Sequence, residues 1–124
     1  MVGRVDLQII EGNSGEMYPF QCHRANDPFK TFPKFSDDSG IYGFADLSHI
    51  DENGWTVPKV LYVGESHSFE ERVIESHEKW NDAFDLNATH ICILKLENSS
   101  ESERKDIERD IYLKHAPPCN DKSP

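Results

Sequence analysis

Asn53-Gly54 falls between two runs of strand-forming residues, and no other feature of the chain constrains its fold as tightly. Asn-Gly supplies the positive-φ positions that a tight hairpin turn needs. Before it, Gly40–Leu47 carries Ile41, Tyr42, Phe44 and Leu47 between Ser-Gly and Ser-His. After it, Lys59–Val63 is a second strand-forming run that stops at Gly64. Two antiparallel strands at mid-chain commit the core to a sheet, and the rest of the chain must cover its faces.

The covering elements are signalled downstream. Ser68-Phe69-Glu70-Glu71 has capping-box spacing, the serine side chain satisfying an amide and the glutamate reaching back. It predicts a helix to about Trp80, with Phe69, Val73, Ile74, His77 and Trp80 as its buried stripe. Ala88–Leu96 is the strongest strand signal in the chain. Ser100-Glu101-Ser102-Glu103 repeats the capping box, and that helix runs to about His115, where Pro117-Pro118 stops it. Ile107 and Ile111 form its apolar edge.

Residues 1–39 precede this region as an extension packed on the core. Val5–Ile10 alternates like a strand, Glu11–Gly15 is turn-rich, and Phe29, Phe32, Pro33 and Phe35 form an aromatic-proline segment. Those rings read as a cover over the core or, in a sharper reading, as a base-stacking platform. The order β, then β-β-α-β-α, predicts an α/β or α+β sandwich with a small, mainly antiparallel central sheet flanked by helices. Residues 40–124 form its main domain within a single globular unit.

The chain has 124 residues, 36% hydrophobic and 29% charged, which suits one folded domain with a modest core rather than disorder. No apolar run approaches the ~18 residues of a membrane span, and the start lacks the apolar core of a secretory signal. The expected location is intracellular, cytoplasmic. Cys22, Cys92 and Cys119 are odd in number and widely spaced, with no Cys-x-x-Cys. Free thiols are expected, with zinc at Cys22-His23 and His115/Cys119 as the alternative.

Gly40-Ile41-Tyr42, Tyr62-Val63-Gly64, Arg72, Glu108 and Asn120 occur in that order, each on a different predicted segment. The set resembles the catalytic core of the GIY-YIG nuclease family and spans roughly residues 40–120. The resemblance implies metal-assisted hydrolysis of nucleic-acid phosphodiesters, DNA rather than RNA, with Mg²⁺ or Mn²⁺ as cofactor. It implies that Tyr42 helps to activate water and that Tyr62 positions the water or the phosphate. Arg72 then offsets phosphoryl charge, Glu108 is the metal ligand, and Asn120 hydrogen-bonds back toward the site. Some members place a histidine four positions after the arginine. Here Ser76 stands there and His77 comes one later. On an unbroken helix His77 points some 140° away from Arg72, so it reads as a core residue and as a further site candidate.

Three features depart from the family. The loop Ser48–Pro58 lengthens the hairpin, and Glu65 stands where many members carry a basic residue. The formal net charge is −10, and residues 40–124 hold nine basic against seventeen acidic side chains. Phosphate binding relies on clustered Lys and Arg, although screening confines distant charge to about 8 Å at physiological salt. The expectation is therefore weak non-specific affinity for nucleic acid, or a protein partner that supplies affinity or specificity. The same acidity suits two alternatives: a catalytically inactive interaction module, or an acidic inhibitor that occupies a partner's nucleic-acid-binding surface.

Overall fold

The structure, a computed structural model, describes residues 5–25 and 32–121. The alternating start becomes β1 (Val5–Glu11), with Val5, Leu7 and Ile9 facing solvent and Ile10 facing the core. A tight turn, closed by Gly12 N–H on the Glu16 carbonyl, leads into β2 (Met17–Arg24). This second strand is absent from the sequence reading, which expected one strand in the extension. Pro19 and the polar Gln21 and His23 interrupt its strand signal. Pro19 is tolerated because it lies in the part of β2 that pairs only with β1, outside the Gln21–Arg24 stretch that meets the next strand inward.

The mid-chain hairpin is β3 (Gly40–Asp46) and β4 (Lys59–Ser66). Gly54 takes φ 83° in its turn, the left-handed geometry that Asn-Gly predicts. After α1 (Phe69–Arg72) and α2 (Trp80–Asp85) come β5 (His90–Lys95) and α3 (Glu101–His115). The five strands form one antiparallel sheet in the order β1-β2-β5-β3-β4. The fold is α+β, as the sequence predicted, and the extension supplies two of its five strands.

Each face of the sheet has its own core. Ile111 of α3 packs with Ile10, Phe20, Ile41 and Val63 on one face. Phe69, Val73, Trp80 and Ala83 pack with Tyr42, Phe44, Leu61 and Ile91 on the other, where Phe35 and Phe32 act as the expected cover. Phe29 lies outside the described residues. α3 begins at Ser100, whose hydroxyl accepts the Glu103 N–H at 3.1 Å, and ends at Ala116 in the left-handed conformation just before Pro117. Both ends fall where the sequence put them.

The helix expected from Ser68 to Trp80 is broken. Ser68 does cap α1, but the helix ends after Arg72, and an irregular segment reaches α2. Val73 and Ile74 are adjacent β-branched residues, poor at continuing a helix against its preceding turn. Val73, His77 and Trp80 still reach the core, while Ile74, expected in the stripe, is 41% exposed.

The cysteines also differ from expectation. Cys22 and Cys92 are disulfide-bonded, and Cys119 is free and buried. Cys22 and Cys92 face each other across β2 and β5 with Cα atoms 4.0 Å apart. A juxtaposition across 70 residues leaves no mark in local spacing.

Candidate active site

The register of the hairpin assembles the centre of the site. A bulge between Phe44 and Ala45 sets Phe44 opposite Tyr62 and Ala45 opposite Val60. Leu61 is the extra residue, so Leu61 and Tyr62 both serve the core on the Tyr42 face. Tyr42 stands opposite Gly64, and a Cβ there would lie 2.7 Å from the Tyr42 hydroxyl. Gly64 sits inside β4 rather than at its end. Its missing side chain makes room for the Tyr42 phenol.

Tyr42 is only 1% exposed and His77 only 3%. The Tyr42 hydroxyl lies 2.7 Å from His77 Nε2, and the rings of Tyr62 and His77 are 5.2 Å apart. His77 Nδ1 accepts the Lys79 N–H at 3.0 Å, so the neutral imidazole carries its proton on Nε2 and donates it to Tyr42. The Tyr42 hydroxyl donates in turn to Tyr62, which helps to lower the Tyr62 pKa although burial raises it overall. Burial drives the Tyr42 pKa far above the ordinary phenol value. Burial also lowers that of His77 to about 4, with the Arg72 charge adding to it. The result is a directional chain, Lys79 N–H to His77 to Tyr42 to Tyr62, whose half-buried last member is the one that reaches the surface.

His77 is therefore part of the cluster. Its apparent misplacement came from assuming one continuous helix. The break after Arg72 turns both side chains to the same place, close enough for the Arg72 charge to act on His77 and both tyrosines. The break also brings in Glu78, which the sequence reading missed. Its carboxylate grips Arg72 with two bonds, Nη1 to Oε2 at 2.9 Å and Nη2 to Oε1 at 2.7 Å. On a continuous helix these residues would lie about 120° apart. The pair holds the Glu78 pKa near 2 and pushes that of Arg72 up.

Glu108 lies on α3, half-buried, near enough to Tyr62 for its charge to raise the tyrosine's pKa. Burial, then the nearby Glu65, push the Glu108 carboxyl up to about 7. It makes no hydrogen bond or ion pair among the described residues. The i,i+4 partner open to it, Arg104, instead bonds Glu65 at 2.9 Å and the Ser99 carbonyl at 2.7 Å. Among the described residues no three His, Cys, Asp or Glu side chains group closely enough to hold a metal ion, and neither zinc alternative forms. A lone carboxylate with waters and a substrate phosphate is still a usual magnesium site, and Glu108 suits it.

Asn120 closes the edge of the sheet. Its Oδ1 accepts the Val63 N–H at 3.0 Å and its Nδ2 donates to the Val63 carbonyl at 2.9 Å. With Cys119 N–H on the Leu61 carbonyl, the last described segment runs beside β4 and fixes the backbone on both sides of Tyr62. An open cleft of about 570 Å³ beside the cluster is lined by Arg72, Arg104, Glu65, Glu71, Glu101 and His67. Tyr42, Tyr62, Arg72 and His77 thus meet in one cluster, Glu108 borders it, and Asn120 braces it from behind. Comparison with family models, curated proteins and solved structures returned no match.

Proposed function

We propose that the chain is a metal-dependent endonuclease of the GIY-YIG type, hydrolysing phosphodiester bonds of nucleic acid, DNA in preference to RNA. The observation that carries this reading is the meeting of Tyr42, Tyr62, His77 and Arg72, drawn from β3, β4, the segment after α1 and α1 itself, with an unpaired carboxylate on α3 beside Tyr62. Chance motifs in an unrelated domain have no reason to converge.

A divalent cation at Glu108 would polarise a phosphoryl oxygen and acidify bound water. Binding it requires Glu108 to be ionised, so uptake near neutral pH releases a proton. Tyr42 is buried with its hydroxyl committed to His77 and Tyr62, so Tyr62 is the phenol that meets the water. Its phenolate, formed as the phenol proton passes to solvent, would take a proton from water as that water attacks phosphorus; the opposite P–O bond breaks and the leaving oxygen takes a proton from solvent. Tyr42 and His77 hold Tyr62 in line. Arg72 offsets the charge gathering on the phosphoryl oxygens once the phosphate has displaced Glu78.

A second reading has its own support. Glu78 occupies both Nη groups of Arg72, and the net charge is −10. Both features suit a non-catalytic module or an acidic inhibitor of a nucleic-acid-binding partner. The test is incubation with supercoiled, linear, single-stranded and branched DNA in Mg²⁺ or Mn²⁺. Cation-dependent nicking, lost in Glu108→Gln and Arg72→Ala, is the expected result. Absence of cleavage on every substrate at every salt concentration overturns the nuclease reading in favour of the second.

A further inference from the structure

The acidic balance of the chain conceals a cleft with no acid in its wall. It holds about 640 Å³ between the β3–β4 loop and the carboxy-terminal end of α3, and its lining includes His49, Lys59, Lys114 and His115 but neither Asp nor Glu. Elsewhere the described cations are largely neutralised: Arg72 by Glu78, Lys79 by Asp121, Lys95 by Asp38, Arg104 by Glu65 and Lys105 by Glu101. Lys59 and Lys114 make no ion pair among the described residues. The two histidines are already engaged, His49 with Asp46 beneath it and His115 with the Glu11 carbonyl. The two lysines therefore carry the free charge.

The loop over this cleft displays an aromatic ring. Trp55 is 72% exposed, and Ile50 and Val57 beside it are exposed as well. The loop is braced: Ile50 bridges Thr56, Asp51 Oδ1 accepts the Trp55 N–H at 3.0 Å, and the Asp51 N–H donates to the Trp55 carbonyl. A rigid turn holding an indole in water, next to a cleft with unpaired lysines, suits a strand carrying both phosphates and bases.

The position of the cleft fits as well. α3 runs back along β4, with Arg104 against Glu65 at one end and His115 beside Val60 at the other. From Tyr62 to Lys59 is three residues of strand, roughly 10 Å. From Glu108 to Lys114 is six residues of helix, roughly 9 Å. Both displacements run the same way along the edge of the molecule. The cleft thus lies roughly 10 Å from the reacting groups, within reach of the same strand.

We propose that this cleft seats the nucleic-acid strand beyond the cleaved bond, with Lys59 and Lys114 on backbone phosphates and Trp55 stacked on an unpaired base. The proposal rests on the nuclease reading for its ligand, and the experiment keeps the two apart. A fluorescently labelled single-stranded oligonucleotide is titrated in EDTA, which prevents cleavage, across a salt series, with a duplex of the same length in parallel. The proteins are wild type, Trp55→Ala, Lys59→Ala/Lys114→Ala and the control Lys34→Ala, an exposed lysine remote from this cleft. All are first checked for unchanged thermal unfolding.

The double lysine variant should flatten the slope of log K against log salt by about 1.4, the loss of two single-strand phosphate contacts. Trp55→Ala should weaken single-strand binding about tenfold and abolish the quenching of tryptophan fluorescence. Lys34→Ala should change neither. If all variants bind as wild type does while nicking persists, this inference is overturned and the nuclease reading stands. If wild type neither binds nor cuts any nucleic acid, both fall. An effect of Trp55→Ala equal on duplex and single strand overturns the stacking role and leaves the phosphate role supported.

Discussion

His77 and Glu108 titrate in opposite senses within the same pH range. The folded protein holds the His77 pKa down at about 4, whereas an unfolded histidine titrates near ~6.5. Between those values the unfolded chain binds a proton that the folded one refuses, so this contribution to stability is lost as pH falls from about 6.5 to about 4. Glu108 behaves in reverse. Folded, it keeps its proton up to about 7; unfolded, it releases it near ~4.3. Its contribution is complete below that lower value and is lost as pH rises toward 7. The two largely cancel between about pH 5 and pH 6.5. The carboxylates whose pKa values are lowered, Asp38, Asp46, Glu78 and Asp110, act below this window. Glu108→Gln should therefore expose the histidine: urea unfolding across this window should show a pH slope steeper by up to about 1.4 kcal/mol per unit than in wild type. Parallel slopes for the two proteins would refute this assignment.

The elements that could be read from the sequence are those whose signals are local. Ser68 and Ser100 cap helices because a hydroxyl three residues before a free amide is a short-range arrangement, and Asn53-Gly54 turns the hairpin for the same reason. The site was legible as an order of residues, with Tyr42, Tyr62, Arg72 and Glu108 each on its expected element. Glu78 was not, because its contact with Arg72 exists only where the helix after Ser68 breaks. Periodicity alone reported that helix as unbroken, since Val73, His77 and Trp80 are buried either way. β2 escaped because Pro19, Gln21 and His23 hide a strand that its neighbours impose. The broken helix carries a prediction of its own. Glu78→Gln should release Arg72 and tighten inorganic phosphate or oligonucleotide binding about tenfold. Glu75→Gln, which removes the same charge from an exposed position in the same segment, should gain less than twofold. Equal gains in both would mean that charge alone is responsible.

Across the whole molecule, one covalent link joins the amino-terminal hairpin to the centre of the sheet. Cys22 and Cys92 are 0% exposed and close a loop spanning 70 residues. Such a loop typically adds about 2–4 kcal/mol when oxidised. Denatured protein should titrate one thiol before reduction and three after, and the reduced fold should unfold at correspondingly lower urea. Three thiols without reductant would show the pair to be open. Disulfides are uncommon in reducing compartments, so this count also bears on the expected cytoplasmic location. The sheet's two margins have different fates. Along β4, Cys119 and Asn120 occupy the backbone groups of Leu61 and Val63. Along β1, only β2 pairs among the described residues. A strand added by another polypeptide would therefore meet a blocked margin at β4. The two margins lie four strand spacings apart, roughly 19 Å, so a strand added at β1 would enlarge the sheet on the side away from the tyrosine cluster.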